Sequence, residues 1–326
     1  SLILEKSGET GGLSKTARAG DFLFDLGGHR LYFSKPEIRE WTEKLLKGRT
    51  VLRLKRNSAV FTGGRLLKYP PTFLNGLLYA APVLFSKGRS ARAQQPPATL
   101  RDWLESSLGP RVHDRYFRDY TKKVWGLGTD ELSPLWAERR IGGGFGVKSL
   151  LLELFGGKLS SKENASRFLY PEKGIGELPA ALRESAGPSA ELLTGAEPLE
   201  IKFKDGRPAA LVFKRGGERS TVNFKFLAST IPLRSLLKLL PGVPTALSGR
   251  IKYRSLVVLF AALRRKKALP YHWVYLPDSD AGFSRVCELA NWSPLMAPGA
   301  WLPMTFEFFC NECDALWNMQ EEELAA

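Results

Sequence analysis

The chain opens on Ser1-Leu2-Ile3-Leu4, an apolar run that predicts the stub of a buried strand, and a glycine-rich turn at residues 8–12 follows at once. Apolar and polar positions alternate across residues 22–26, and Gly27-Gly28 closes that segment, so two strands with tight glycine turns open the chain. Residues 34–46 carry a helical period, with Ser34 placed as N-cap, Pro36 in the first turn and Glu37 completing a capping box. Residues 51–67 read as a hairpin turning at Gly63-Gly64. Helices rich in Trp, Tyr and Arg fill residues 70–157, broken by Pro96-Pro97. Gly174 and Gly176 then precede a helix within residues 168–183. Strands are expected at residues 199–203 and 209–213, joined at Asp205-Gly206, and again at residues 226–229. A helix at 233–240, a strand at 255–263, an aromatic stretch at 271–309 and a charged helix at 321–324 complete the pattern, with no internal repeat. The order predicts an α/β protein: a sheet domain in two parts, residues 1–68 and 166–240, interleaved with an α+β substrate domain at 69–165 and 241–326.

With 326 residues, 44% hydrophobic and 25% charged, the chain can bury a sizeable core in two packed regions. Its longest apolar stretch, residues 73–85, includes Asn75 and Pro82 and falls short of the ~20 residues that cross a bilayer. Lys68, Lys87, Arg89 and Arg92 flank it and would suit a peripheral membrane contact, but a helix packed under the substrate domain is the preferred reading. Three cysteines argue against a disulfide framework and for a reducing, cytoplasmic setting. Cys310 and Cys313 form a CxxC, yet only Cys287 and the scattered His29, His113 and His272 could complete a zinc site, so no metal is expected. The net charge of +15 favours an acidic partner. Because the basic residues are spread along the chain, a phosphorylated small molecule is expected and nucleic acid is not. Oligomeric state is not legible.

Glu5 stands at the carboxyl end of a strand and directly before a glycine turn, where an acid in a dinucleotide fold takes the ribose hydroxyls. The G-x-G-x-x-G turn that belongs about twenty residues earlier is expected to lie outside the chain. A phosphate loop across residues 7–16 is rejected, since glycine would be required where Glu9 and Ser14 stand. The run Gly142-Gly143-Gly144-Phe145-Gly146 follows no strand and reads as a loop.

Leu4-Glu5-Lys6, then Gly11-Gly12-Leu13-Ser14-Lys15-Thr16, then Phe24-Asp25-Leu26-Gly27-Gly28-His29-Arg30 resemble the second strand and following turns of FAD-dependent amine oxidases. The likeness is strongest to the branch shared by protoporphyrinogen-oxidase-like proteins and UDP-galactopyranose mutases. Residues 116–140, 168–182 and 229–233 (STIPL) and Asn291-Trp292-Ser293-Pro294 extend it over most of the chain. The resemblance implies a glutathione-reductase-type, Rossmann-like FAD domain cut at both ends, with FAD held extended. Glu5 would take the adenosine ribose, and Gly11, Gly12, Leu13, Ser14, Lys15, Gly27, Gly28, Thr230 and Pro232 would line the cofactor. Glycine turns allow close backbone approach, and their amides neutralise pyrophosphate charge.

His29 and Arg30 would then lie beside the isoalloxazine as catalytic candidates, His29 also counting as a cofactor contact. The plainer alternatives are a loop histidine bonded to nearby backbone and a surface cation. Pro198 falls where the family places a valine whose N–H and carbonyl hold adenine, so one hydrogen bond, about 0.5–1.5 kcal/mol, is expected to be lost. Trp125, Arg139, Arg140, Tyr170, Arg254, His272 and Trp292 are the candidates for a wall facing a planar or phosphorylated substrate, against core packing for each aromatic. Three functions remain: an FAD-dependent oxidoreductase acting on a C–N or C–C bond, a UDP-galactopyranose-mutase-like isomerase, and a non-catalytic binding module without FAD.

Overall fold

The computed structural model describes residues 1–69, 96–140, 167–264, 269–277 and 281–325. The expected apolar helix at 73–85 and the run Gly142 to Gly146 lie outside them. The strands begin with β1 (Leu2–Glu5), β2 (Thr16–Ala19), β3 (Phe22–Asp25), β4 (Val51–Lys55), β5 (Ser58–Thr62), β6 (Arg65–Tyr69) and β7 (Arg167–Pro171). They continue with β8 (Glu191–Thr194), β9 (Glu197–Lys204), β10 (Arg207–Arg215), β11 (Glu218–Asn223), β12 (Ser255–Arg264), β13 (Trp273–Tyr275), β14 (Arg285–Glu288) and β15 (Trp301–Cys310). Two compact units result. One joins Ser1–Lys15 to Gly176–Tyr253, and the other joins Thr16–Ile175 to Arg254–Ala326. These divisions differ from the expected ones at 68, 165 and 240.

In the first unit β1 runs parallel to β8, with Leu2 opposite Glu191 and Glu5 opposite Thr194. A separate antiparallel sheet runs in the order β11-β10-β9, its first hairpin turning at Asp205-Gly206 with both residues at positive φ, as a type I′ turn requires. The helix Glu177–Ala186 follows Gly176 and stops at Gly187, whose φ of +61° continues no helix.

The second unit is built on a six-stranded sheet ordered β12-β15-β14-β13-β5-β6, with β13 and β5 parallel and every other neighbouring pair antiparallel. The pairs β2-β3 and β4-β7 are separate antiparallel ribbons. Helices Leu100–Leu108, Arg118–Trp125 and Leu135–Arg140 supply the helical part, the first capped reciprocally by Thr99 and Asp102. The core gathers Phe24, Phe168, Tyr170, Trp273, Cys287, Leu289, Trp292 and Met296, so β3, β7, β13 and β14 meet over one aromatic cluster. Trp292 is 2% exposed and packs its ring against Phe168, Tyr170, His272 and Trp273.

Several local expectations need correction. The first helix spans Pro36–Leu45 with Lys35 as its N-cap and no side-chain cap bond. Proline at the first helical position holds the preceding residue extended, which moves the start one residue past Ser34. Only β5 and β6 form the hairpin at Gly63-Gly64, because β4 pairs with β7 instead. Residues 226–229 form no strand, and Phe226 is 84% exposed. The polar strands β2 and β11 and the short β8 were missed, since their pairing partners rather than their own patterning hold them. Replacing Trp292 with alanine empties the centre of the aromatic cluster and is expected to cost about 3–5 kcal/mol, measured by urea unfolding.

Candidate cofactor and substrate site

The expected cofactor residues fall into two groups, one in each unit. In the first unit Glu5 ends β1, and its Oε1 accepts the Ser7 N–H at 2.7 Å with Ser7 Oγ 2.8 Å away. Its Oε2 has no partner among the described residues, so one carboxylate oxygen is oriented and free to accept. The following turn is closed by Ser14 N–H donating to the Gly11 carbonyl at 2.9 Å. A Cβ on Gly11 would meet Pro179 Cγ and Ser14 O, both at 3.1 Å, whereas one on Gly12 would meet nothing within 4 Å. That side of the turn therefore faces open space. Lys15 Nζ donates to Ser7 Oγ at 3.1 Å and lies 3.6 Å from Glu9, while Leu13 projects outward, 77% exposed. Pro198 is the second residue of β9, an edge strand that tolerates a missing N–H. Thr230 and Pro232 are exposed, Pro232 as N-cap of the helix Leu233–Leu239. An oriented carboxylate oxygen beside a turn that is open at Gly12 fits the chemistry of a ribose diol and a phosphate.

In the second unit Gly27-Gly28 leaves β3 through a tight turn in which Gly27 N–H donates to the Asp25 carbonyl at 2.7 Å. Asp25 is 1% exposed, and its carboxylate accepts from Thr16 Oγ1 and Tyr170 OH at 2.6 Å each and from the Ile175 amide at 3.1 Å. Burial raises its pKa, with those hydrogen bonds opposing the rise. Gly174 makes the approach feasible, since a Cβ there would strike Thr16 and come within 2.9 Å of Asp25. On the other side, Glu307 of β15, fully buried, accepts the Gly28 N–H at 3.2 Å and Arg285 Nε at 2.8 Å. A Cβ on Gly28 would lie 3.2 Å from Cys287 Sγ and 3.5 Å from Trp292, so the turn sits close on the sheet. His29 Nε2 lies 3.1 Å from the Leu26 carbonyl, the backbone contact of a loop histidine in its Nε2–H tautomer.

Arg30 continues the turn onto an aromatic face. Its guanidinium lies 5.6 Å from the Trp273 ring centre and 5.9 Å from Tyr32. Arg56 lies 5.2 Å from the same indole and 5.0 Å from Tyr69. Two cations thus share one tryptophan. Arg30 Nη1 is buried without a hydrogen-bond partner among the described residues. Burial first, and the charge of Arg56 next, lower the Arg30 pKa. Tyr275 meets Tyr69 and Tyr120 edge-on at 5.9 and 6.1 Å, and burial raises the Tyr120 phenol. For Arg285 burial pulls the pKa down, but the adjoining Glu307 carboxylate, with lesser contributions from Cys287 and Tyr275, carries the net shift upward.

The expected substrate wall is not brought together as one surface. Tyr170, His272 and Trp292 are core residues, their polar atoms engaged: Tyr170 OH donates to Asp25, Trp292 Nε1 to the His272 carbonyl, and His272 Nδ1 lies against the Asn57 backbone. Burial lowers the His272 pKa, which keeps the ring neutral. Arg254 donates to the Val124, Lys123 and Phe309 carbonyls, so its guanidinium anchors a helix end to the sheet. Trp125 is 36% exposed and stacks edge-on with Trp136. Arg139 and Arg140 end the helix Leu135–Arg140, and their side chains lie outside the described residues. Cys310 is buried and Cys313 exposed, and burial pushes the Cys287 thiol up to about 12. The residues that sequence reasoning missed are Asp25, Arg56, Trp273, Arg285 and Glu307. Two carried a visible signal, an acid inside an apolar strand: Asp25 after Phe24, and Glu307 between Phe306 and Phe308.

A parallel strand pair ending in an acid, glycine turns, and a mixed sheet carrying an aromatic and cationic face describe a nucleotide-binding α/β enzyme body. The chain belongs to the family of flavin-containing amine oxidoreductases, whose profile matches residues 1–326. Its fold is similar to that of a reduced UDP-galactopyranose mutase (20% identity, TM-score 0.78, 95% of this chain and 69% of that one). It is also similar to a protoporphyrinogen-oxidase-like protein from Exiguobacterium sp. 255-15 (16%, 0.72, 99% and 74%). Cyclohexylamine oxidase from Brevibacterium oxydans IH-35A shares the fold as well (14%, 0.60, 99% and 73%). No curated protein matches the sequence significantly. Among the described residues no helix is long and apolar enough to cross a membrane, and no cluster of His, Cys, Asp and Glu could hold a metal ion.

Asp25 gives a pH prediction with a definite sign. A carboxyl whose folded pKa is raised above the ordinary 3.8 stabilises the fold in its protonated form, and that contribution is lost as pH rises through the folded value. The difference in thermal midpoint, wild type minus Asp25→Asn, is expected to be more favourable to wild type at about pH 3.5, below the ordinary carboxyl value, than at about pH 8.

Proposed function

We propose that this chain forms the cofactor- and substrate-binding body of an FAD-dependent oxidoreductase that oxidises a C–N or C–C bond of a small anionic organic substrate. The observation that carries the reading is Glu5: a strand-end carboxylate with one oxygen fixed by Ser7 and the other without a partner among the described residues, beside a turn that is open at Gly12. Bound FAD would supply the hydride acceptor. Glu5 would take the ribose hydroxyls, the amides of the Gly11-Gly12 turn would offset pyrophosphate charge, and the Gly27-Gly28 turn, without side chains, would let the backbone approach the ring. Arg30 and Arg56, half-buried and stacked on Trp273, would orient a substrate carboxylate or phosphate, Arg30 through its Nη1, which has no hydrogen-bond partner among the described residues. The surrounding Tyr69 and Tyr275 rings would exclude water from the bound anion.

The same cationic face favours one second reading, a flavin-dependent nucleotide-sugar isomerase in which arginines hold a diphosphate. Oxidation of small anionic amines with release of reduced acceptor supports the first reading; turnover of UDP-galactopyranose without net redox change supports the second.

The test is a titration of the purified full-length protein with FAD, followed by its visible spectrum. A flavin band near ~450 nm is expected. Glu5→Gln is expected to weaken FAD binding about 10- to 100-fold, corresponding to about 1.5–3 kcal/mol for a hydrogen bond to a charged group. A folded protein that ignores FAD would leave the non-catalytic binding module in place of the enzyme. In the loaded enzyme Arg56→Ala is expected to raise KM for an anionic substrate at least about tenfold while leaving FAD affinity unchanged.

A further inference from the structure

Glu307 is a charged residue in the middle of a sheet, on a strand hydrogen-bonded on both sides, with Arg285 opposite it on β14 and Val258 opposite it on β12. It is fully buried. A buried ion pair is a poor device for stability alone, because desolvating both groups offsets the attraction and apolar replacements of similar volume often serve as well. What distinguishes Glu307 is that its two oxygens are spent on different parts of the unit. Oε2 holds Arg285 through Nε at 2.8 Å, and Oε1 holds the Gly28 amide at 3.2 Å. Gly27 is fitted to the same carboxylate, since a Cβ there would lie 3.2 Å from Oε1. Arg285 is not wholly buried: 27% of its side chain is exposed, and its charge is felt by Tyr275, Tyr120 and Arg30 on the aromatic face.

We propose that Glu307 is a positioning residue that links the cationic substrate face to the glycine turn, one carboxylate fixing the Arg285 guanidinium and the Gly28 amide relative to each other. The proposal rests on the flavoprotein reading above and adds to it a coupling between two ligands. An anion that engages the part-exposed Arg285 side chain draws charge from the Arg285–Glu307 pair and alters the hydrogen bond that Glu307 makes to Gly28. Substrate-side occupancy therefore changes cofactor affinity, and by linkage the cofactor changes anion affinity by the same factor.

The experiment measures FAD dissociation by flavin fluorescence in the full-length protein, with and without saturating inorganic pyrophosphate, for wild type, Glu307→Gln and Glu307→Asp. In wild type pyrophosphate is expected to change the FAD dissociation constant at least about threefold. Gln can still accept from Gly28 but sets an amide N–H against Arg285. Asp keeps the charge beside Arg285 but is one methylene too short to reach both partners, so it removes the link without leaving Arg285 unpaired. Both variants are expected to bind FAD alone and to lose the pyrophosphate effect. A general loss of stability would weaken FAD binding without abolishing the ratio, so the ratio separates positioning from folding. Wild type that binds FAD with no pyrophosphate effect, or an Asp variant that keeps the effect, overturns the role of Glu307 and leaves the flavoprotein reading intact. Wild type that binds no FAD overturns both.

Discussion

A turn made of two glycines has no side chains with which to hold itself, so its shape must be imposed from outside. Gly27-Gly28 is held from both sides: the Asp25 backbone carbonyl takes its first amide, while the Asp25 carboxylate anchors the strand that leads into it, and the Glu307 carboxylate takes its second amide from the sheet. Each acid is almost fully buried, and each is satisfied by several donors, which is the condition for burying a carboxylate at tolerable cost. The elements that meet there follow from this requirement. Thr16 on β2, Tyr170 on β7 and the Gly174 turn must converge on Asp25, and Arg285 must reach Glu307 across the ladder between β14 and β15.

The aromatic cluster beneath serves the same end by different physics. The Trp292 and Trp273 rings lie 5.6 Å apart, tilted by 35°, and fill the space between β3, β7 and the sheet, leaving the turn little room to move inward. Trp273 also presents its indole to Arg30 and Arg56, so one residue contributes to the core and to the cationic face. Two guanidiniums beside one ring repel each other, which is part of why Arg30 holds its proton less tightly than usual. An anion placed between them would relieve that repulsion.

The first strand, the Asp-Gly hairpin, the helix after Gly176 and the glycine turns were legible because each carries a local signature. The strands β2, β8 and β11 were not, since Thr16-Ala17-Arg18-Ala19 and Glu218 to Asn223 are polar segments made into strands by their neighbours. Of the proposed site, Glu5 and the glycines are singled out by position in the motif, Glu5 at a strand end and the glycines in tight turns. The substrate wall was misjudged for a physical reason: Tyr170, His272 and Trp292 have the aromatic and polar character of binding residues, yet their polar atoms are consumed within the core. Arg56 and Trp273 are 217 positions apart, and only the parallel pairing of β5 with β13 brings them together.

The pairing of β1 with β8 places Leu2 beside Glu191, so the first unit is assembled from segments separated by most of the second unit's leading portion. Among the described residues β1 pairs with β8 alone, so it gains its strand partner only when Glu191–Thr194 is in place. A parallel pair of such sequence separation closes a long loop before any contact rewards it, which slows folding and prolongs the exposure of an apolar edge. The formation of this pair is therefore slowed by topology, whatever the stability of the finished unit.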